Sequence, residues 1–335
     1  MAKWFIERIK LPLKYRWSIA RGSSDTRENL IITFRDGDFS GKGEVAFLTG
    51  AGITIEEIEK EFESFCSLVP PAINGLEEMM EILESGELDI HSNLRFGIES
   101  AYVHFVSQIL GGSVSHVLGI DKVTKVKTCF SLPILPSEEY QAFIEKHNLA
   151  RFHSLKIKVK GDESLEGLIS ILKTFSGQLW LDANESFKTA DEVRLFCDKL
   201  DMSRIDIIEQ PLPTKLYEEQ KKLKLMSLDC DLIADESLGN GAIYEEIAEL
   251  YDGVNIKLMK AGGYFSALRQ IRQAKRFHLK VMLGCMLETS LGISSALNIA
   301  DGVDYIDLDS FLFLETDPFS LVFEEFGVIQ GNVNQ

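Results

Sequence analysis

The chain predicts an α/β fold, a (β/α)8-type, modified TIM barrel that carries an α+β capping domain. Three observations predict it. From about residue 124 onward, short apolar runs alternate with amphipathic helical stretches, and eight such runs are present. Three successive runs end in a carboxylate. Asp182 to Glu209 is 27 residues, Glu209 to Asp235 is 26, and Lys257 follows 22 later. A barrel spends about 30 residues on each strand–helix unit, so one such residue per strand emerges on a single rim, where barrel enzymes keep their active sites. The first 118 residues read differently, as an antiparallel hairpin followed by helices.

In order, residues 3–13 and 28–35 alternate apolar and polar as strands. Asp36-Gly37-Asp38 supplies a hairpin turn, and residues 39–47 return. Residues 20–27 and 49–54 are loop expectations that flank this hairpin. Thr54 caps the next helix, with Glu57 as its box partner. Helical periods run from 54 to 117, clearest over 93–110. The eight barrel strands are expected near 127–132, 154–160, 179–184, 205–210, 231–235, 253–259, 280–286 and 304–308. Helices over 164–175, 189–200 and 264–277 fill gaps between them. The domains are therefore 1–118, the capping part; 119–310, the barrel; and 311–335, a tail that returns to the cap.

Composition narrows the function. The 335 residues suit a barrel with one smaller domain, and 45% apolar content supports a large core. A net charge of −17 argues against nucleic acid or an anionic membrane as a partner. Cys66, Cys129, Cys197, Cys230 and Cys285 are odd in number and lack C-x-x-C spacing, which favours reduced thiols and a cytoplasmic setting. The N-terminus lacks the apolar core of a signal peptide, and no run approaches 18 apolar residues. No G-x-G-x-x-G follows the first strand, and there is no G-x-S-x-G elbow.

Asp182, Glu209 and Asp235 read as ligands of a hard divalent ion, Mg²⁺ or Mn²⁺, against the alternative that each caps its following helix. Lys156 and Lys158 share one face of their strand. Taken alone, that strand leaves two choices: inward lysines, or an inward Leu155-Ile157-Val159 set. Lys257, across the expected barrel, favours inward lysines and a two-base site. Mutual repulsion and a nearby metal should lower their pKa values, as proton abstraction requires. Lys260, one turn further, is a rival placed in a loop that ends in Gly262-Gly263. Asp307 and Asp309, on one face of D-L-D, and Glu288 in G-C-M-L-E-T are candidates for holding a substrate cation such as an ammonium group.

These motifs together resemble a known family. K-I-K, D-A-N-E, E-Q-P, A-D-E-S and N-I-K-L-M-K-A-G-G, in that order and spacing, resemble the muconate-lactonising subgroup of the enolase superfamily. G-C-M-L-E-T and D-L-D look like its dipeptide epimerases, of the L-Ala-D/L-Glu type. W-S-I-A-R-G-S-S-D-T-R-E-N-L resembles the first loop of the family's capping domain. The resemblance spans essentially the whole chain. It implies Mg²⁺ on Asp182, Glu209 and Asp235, acid/base duty for Lys158 and Lys257, and Lys156 beside the substrate carboxylate. It also implies Asp307 and Asp309 on the α-ammonium group. In such sites a Lys or His base removes the proton and Mg²⁺ stabilises the enediolate that forms. Where acid-specific members carry an Arg in the first loop, this chain has Gly22, with Arg21 adjacent and Arg27 near.

The expectation is thus an isomerase, a Mg²⁺-dependent dipeptide epimerase inverting the Cα of the C-terminal residue. Its partner is a small dipeptide, and family members are often homo-oligomers. Competing readings are an N-acylamino acid racemase, an o-succinylbenzoate synthase or a cycloisomerase. Further off lie a Schiff-base lyase and a non-catalytic binding protein.

Overall fold

The computed structural model describes residues 2–19, 22–47, 52–70, 72–86 and 88–332. Strands β1 (Lys3–Ile19), β2 (Gly22–Asp36) and β3 (Phe39–Val45) form an antiparallel sheet in that order. Asp36 and Phe39 pair across the turn at Gly37, whose φ of 59° suits a residue without Cβ. Residues 22–27, expected within a loop over 20–27, belong to β2. Its strand continues because Trp17, Ser18 and Ile19 offer partners to Ser24, Ser23 and Gly22 after a register shift in β1.

Helices α1 (Ile55–Leu68), α2 (Leu76–Glu84), α3 (Ser92–Ile109) and α4 (Val114–Leu118) follow. The capping box on α1 forms: Glu57 N donates to Thr54 Oγ1 at 3.2 Å, and Thr54 N to Glu57 Oε2 at 2.8 Å. Helix α3 is buried on nearly every side because it lies between two cores. Leu94, Ile98, Tyr102 and Phe105 join the apolar core of the cap, whereas Phe96 and Val103 join that of the barrel. Gly43 lets β3 touch it, since a Cβ there would stand 2.0 Å from Gly97 O.

The barrel holds eight parallel strands in sequential order: β5 (Phe130–Ser131), β6 (Ser154–Lys158), β7 (Gln178–Asp182), β8 (Ile205–Glu209), β9 (Asp231–Ala234), β10 (Gly253–Lys257), β11 (Lys280–Gly284) and β12 (Tyr305–Asp307). The run expected as one strand at 127–132 splits. Its first part is β4 (Lys125–Lys127), which pairs instead with the C-terminal hairpin of β13 (Val322–Glu325) and β14 (Val328–Gly331). Cys129 N donates to Ile306 O at 3.2 Å and joins the first barrel strand to the last.

Outside the strands lie α5 (Tyr140–Lys146), α6 (Leu165–Thr174), α7 (Ala190–Cys197), α8 (Tyr217–Leu225), α9 (Glu245–Leu250), α10 (Leu258–Ala261), α11 (Tyr264–Arg276) and α12 (Ser290–Asn298). After β12 a short 3₁₀ turn, Ser310–Phe313, takes the place of a strand-following helix. The tail then meets β1: Glu315 N donates to Pro12 O at 2.9 Å, and Leu314 packs with Leu11 and Leu13. Among the described residues no helix is long and apolar enough to cross a membrane.

The cap grips the barrel with acids. Glu44 on β3 accepts from Thr289 N, Thr289 Oγ1 and Gly292 N at the start of α12, and Glu99 on α3 accepts from Phe265 N at the start of α11. Helix starts carry unpaired amides and partial positive charge, so carboxylates suit them.

Candidate active site

Side chains alternate along a strand, and in this barrel the alternation builds two layers. Cys129, Trp180, Ile207, Ile233 and Met282 form an apolar plug inside the ring. Two residues onward on the same strands stand Ser131, Asp182, Glu209, Asp235 and Gly284, and Asp307 follows Tyr305 likewise. Register places Lys156 beside Trp180 and Lys158 beside Asp182, and Asn255 beside Met282 and Lys257 beside Gly284. The lysines are therefore inward. Leu155, Ile157 and Val159 instead join the barrel's outer core with Leu168 and Ile171 of α6. Lys158 on β6 and Lys257 on β10 stand four strands apart in a ring of eight, which is half the circumference.

Lys156 is nearly enclosed by acids. Its Nζ lies 2.7 Å from Glu209 Oε2, 2.8 Å from Asp307 Oδ2 and 3.5 Å from Asp182 Oδ2. Lys158 Nζ donates to Asp182 Oδ2 at 3.0 Å and to Asn184 Oδ1 at 2.7 Å. Lys257 Nζ and Lys260 Nζ each reach Asp235, on Oδ2 and Oδ1, both at 2.8 Å. Lys260 lies in the short helix α10 rather than a loop, and its ammonium group is committed to Asp235, whose carbonyl it also meets.

The acids around Lys156 and Lys257 act against mutual repulsion of the lysines. Burial should lower the Lys156 pKa, but Asp307, Glu209 and Asp182 outweigh it and hold the ammonium well above its ordinary range. The same contest, with Asp235 as first partner, raises Lys257. Mutual repulsion of lysines loses because each has a carboxylate in contact. Burial opposes ionisation of Asp235, yet Lys257 and Lys260 hold it well below the usual carboxylate range. Glu209 goes the other way. Burial pushes it up to about 7, with Lys156 offsetting part of the effect.

Asp307 accepts from Cys129 Sγ at 3.2 Å and Asp309 from Ser131 N at 2.5 Å. Burial and then the Asp307 charge push Asp309 up to about 8. Among the described residues, Cys129, Asp307 and Asp309 bring ligand-type atoms within 4.8 Å of one another. Glu288 stands apart: its carboxylate accepts from Met286 N within its own loop. Arg21 lies outside the described residues, as do positions 49–51 of the loop expected at 49–54.

Some polar residues of the site are not among those the sequence singles out. Asn255 donates to Glu209 Oε1 at 2.8 Å, and Gly284 makes room for it, since a Cβ there would stand 2.3 Å from Asn255 Oδ1. Period two from Lys257 in V-N-I-K is the signal that points to it. Gln210, in E-Q-P, accepts from the Asp235 and Ser237 amides at 3.0 Å each and so fixes the strand end that carries Asp235.

The donor set suits a hard divalent ion. Asp182, Glu209 and Asp235 offer only carboxylate oxygens, on three adjacent strands. Glu209 Oε2 is buried and faces the Lys156 ammonium at 2.7 Å.

The enolase C-terminal domain-like family model matches residues 138–316, more than half of the chain. An L-Ala-D/L-amino acid epimerase of Pedosphaera parvula (strain Ellin514) is 30% identical, over 95% of this chain and 93% of its own length. A substrate-liganded complex of the L-Ala-D/L-Glu epimerase from Bacillus subtilis superposes with a TM-score of 0.87 at 25% identity, covering 98% of this chain and 96% of that one. The dipeptide epimerase from Enterococcus faecalis V583, complexed with Mg and L-Leu-L-Tyr, shares the fold with a TM-score of 0.85 at 23% identity, again covering 98% and 96%. Family match, whole-chain identity and fold agree: the chain belongs to the enolase superfamily, in the branch where named relatives are epimerases.

Proposed function

We propose that this chain is a Mg²⁺-dependent dipeptide epimerase, an isomerase that inverts the Cα of the C-terminal residue by two-base 1,1-proton transfer. The observation that carries the reading is the half-ring separation of Lys158 and Lys257, with carboxylate strands β7, β8 and β9 between them. A substrate Cα held midway presents one face to each amine. One lysine takes the α-proton and the other returns a proton to the opposite face, and the roles exchange for the other enantiomer.

Asp182, Glu209 and Asp235 would hold the ion, with Mn²⁺ as a substitute. Bound there, it supplies Lewis-acid stabilisation of the negative charge that develops on the substrate carboxylate. Lys156, 2.7 Å from Glu209, would hold that carboxylate as well. Asp307 and Asp309 would receive the dipeptide's ammonium group, whose positive charge would favour ionisation of Asp309. Asn255 and Gln210 keep Glu209 and Asp235 oriented.

The test is incubation in D₂O with Mg²⁺ and a mixed L,L-dipeptide library, read by mass spectrometry. One deuterium at the α-carbon of the C-terminal residue, lost with EDTA, is the expected result. No uptake by any dipeptide would sink the reading and turn attention to N-acylamino acids and cycloisomerase substrates, which lack a free ammonium group.

A further inference from the structure

Two buried carboxyl groups stand at the first turn of α12, one from the cap and one from the barrel. Glu44 accepts from Asn29 Nδ2 at 2.8 Å, Thr289 Oγ1 at 2.7 Å, and the Thr289 and Gly292 amides at 3.0 Å each. Burial pushes its carboxyl up, and these donors at the helix start offset part of that. Glu288 precedes the capping residue Thr289. Its Oε1 accepts from Met286 N at 2.8 Å, and its Oε2 fills the space over Gly292, where a Cβ would stand 2.1 Å away. Both carboxyl groups therefore lean on one glycine.

The charged and titratable groups that face this pair are Lys257 on β10, Cys285 in the same loop, and Asp317, which accepts from Ser290 N at 3.0 Å. Lys257 is already bound to Asp235. Two ionised carboxylates in one buried pocket repel strongly. Burial, then the Glu44 charge, pushes the Glu288 carboxyl up to about 8.

The loop they hold, residues 285–289, bridges the two sides of the site. At its start Gly284 abuts Asn255, which orients Glu209. Near its end Glu288 N donates to Ser310 Oγ at 3.1 Å, next to Asp309.

We propose that Glu44 and Glu288 hold one proton between them and through it position loop 285–289, which makes the cap a positioning element of the barrel's site. Glu288 acts through the loop rather than on the substrate. What the loop positions rests on the epimerase reading; the shared proton does not. When Glu288 ionises its proton goes to solvent, the pair repels, and the loop loses its register against Asn255 and Asp309.

The first test needs no substrate. Infrared difference titration of wild type against Glu288→Gln should show a protonated carboxyl that ionises near pH 8. Glu44→Gln should move that midpoint down by about one pH unit or more. A Glu288 already ionised at about pH 6, above the ordinary glutamate range, or a midpoint that Glu44→Gln leaves in place, overturns the proposal. Should Glu44→Gln not fold, the wild-type titration still decides by the first criterion. With a dipeptide that the chain epimerises, KM should rise through the same midpoint more than kcat falls, and Glu288→Gln should remove that rise. A rise that persists in Glu288→Gln also overturns the proposal. Absence of deuterium uptake by every dipeptide would count against the epimerase reading and leave the infrared result standing.

Discussion

Lys158 and Lys257 have separable duties if each serves one face of Cα. Lys158→Ala and Lys257→Ala should each lower epimerisation by about 10³-fold or more, within the range of a lost acid/base group. Each variant should still exchange the α-proton of one enantiomer only, the opposite one in each case, when followed by NMR in D₂O. Wild-type epimerisation rates in both variants would refute the two-base reading. Asp235→Asn should weaken Mg²⁺ binding in calorimetry and remove activity together, since that carboxylate is held ionised by two lysines. These residues were legible because each closes an apolar run at barrel spacing. Their protonation was not, because the carboxylate partner of each lysine comes from another strand: Lys156 meets Asp307, 151 positions away.

At the scale of the element, one ambiguity had to be settled from outside its strand, in the sequence by Lys257 and in the fold by packing. On β6 either alternate set could face inward, and the strand by itself gives no preference. The helix outside decides, because α6 offers Leu168 and Ile171 to Leu155 and Ile157. The contact of β10 with β11 is equally specific. Gly284→Ala would drive a methyl into Asn255 and turn it from Glu209, so activity should fall by about 10²-fold, the cost of misplacing one catalytic contact. Circular dichroism should remain that of the wild type; unchanged activity would remove Asn255 from the site. On α1 the capping box is local and was read directly from T-x-x-E. Thr54→Ala should cost about 1 kcal/mol in urea unfolding. The split of the first barrel strand was not readable, because the partner of Lys125–Lys127 lies at the far end of the chain in β14.

For the whole molecule, the two-domain plan follows from a change of period near residue 120, but the seam between cap and barrel has no local signature. Glu99 shows why. It sits mid-helix among apolar neighbours, and its purpose appears only when α11 arrives 166 positions later. Burial is the largest cause that pushes its carboxyl up to about 7, and the Phe265 amide offsets part of it. Its folded pKa lies above the unfolded value of about 4.3, so its contribution to stability is complete below that value. It is lost as pH rises through about 7. Urea midpoints measured from pH 5 to pH 8, a window of about three units around that transition, should decline in wild type. Glu99→Gln should flatten the decline; an identical slope in both proteins would show that other groups govern it.

The acid-on-helix seam also bears on how such proteins diversify. The barrel offers two fixed sockets, the starts of α11 and α12, and the cap supplies one plug for each from different elements, α3 and β3. A lid from a relative can be transplanted onto this barrel only if it brings both plugs at the same separation. Chimaeras that keep Glu44 and Glu99 equivalents should dock and exchange side-chain preference, while those lacking either should fold as a barrel with a loose lid.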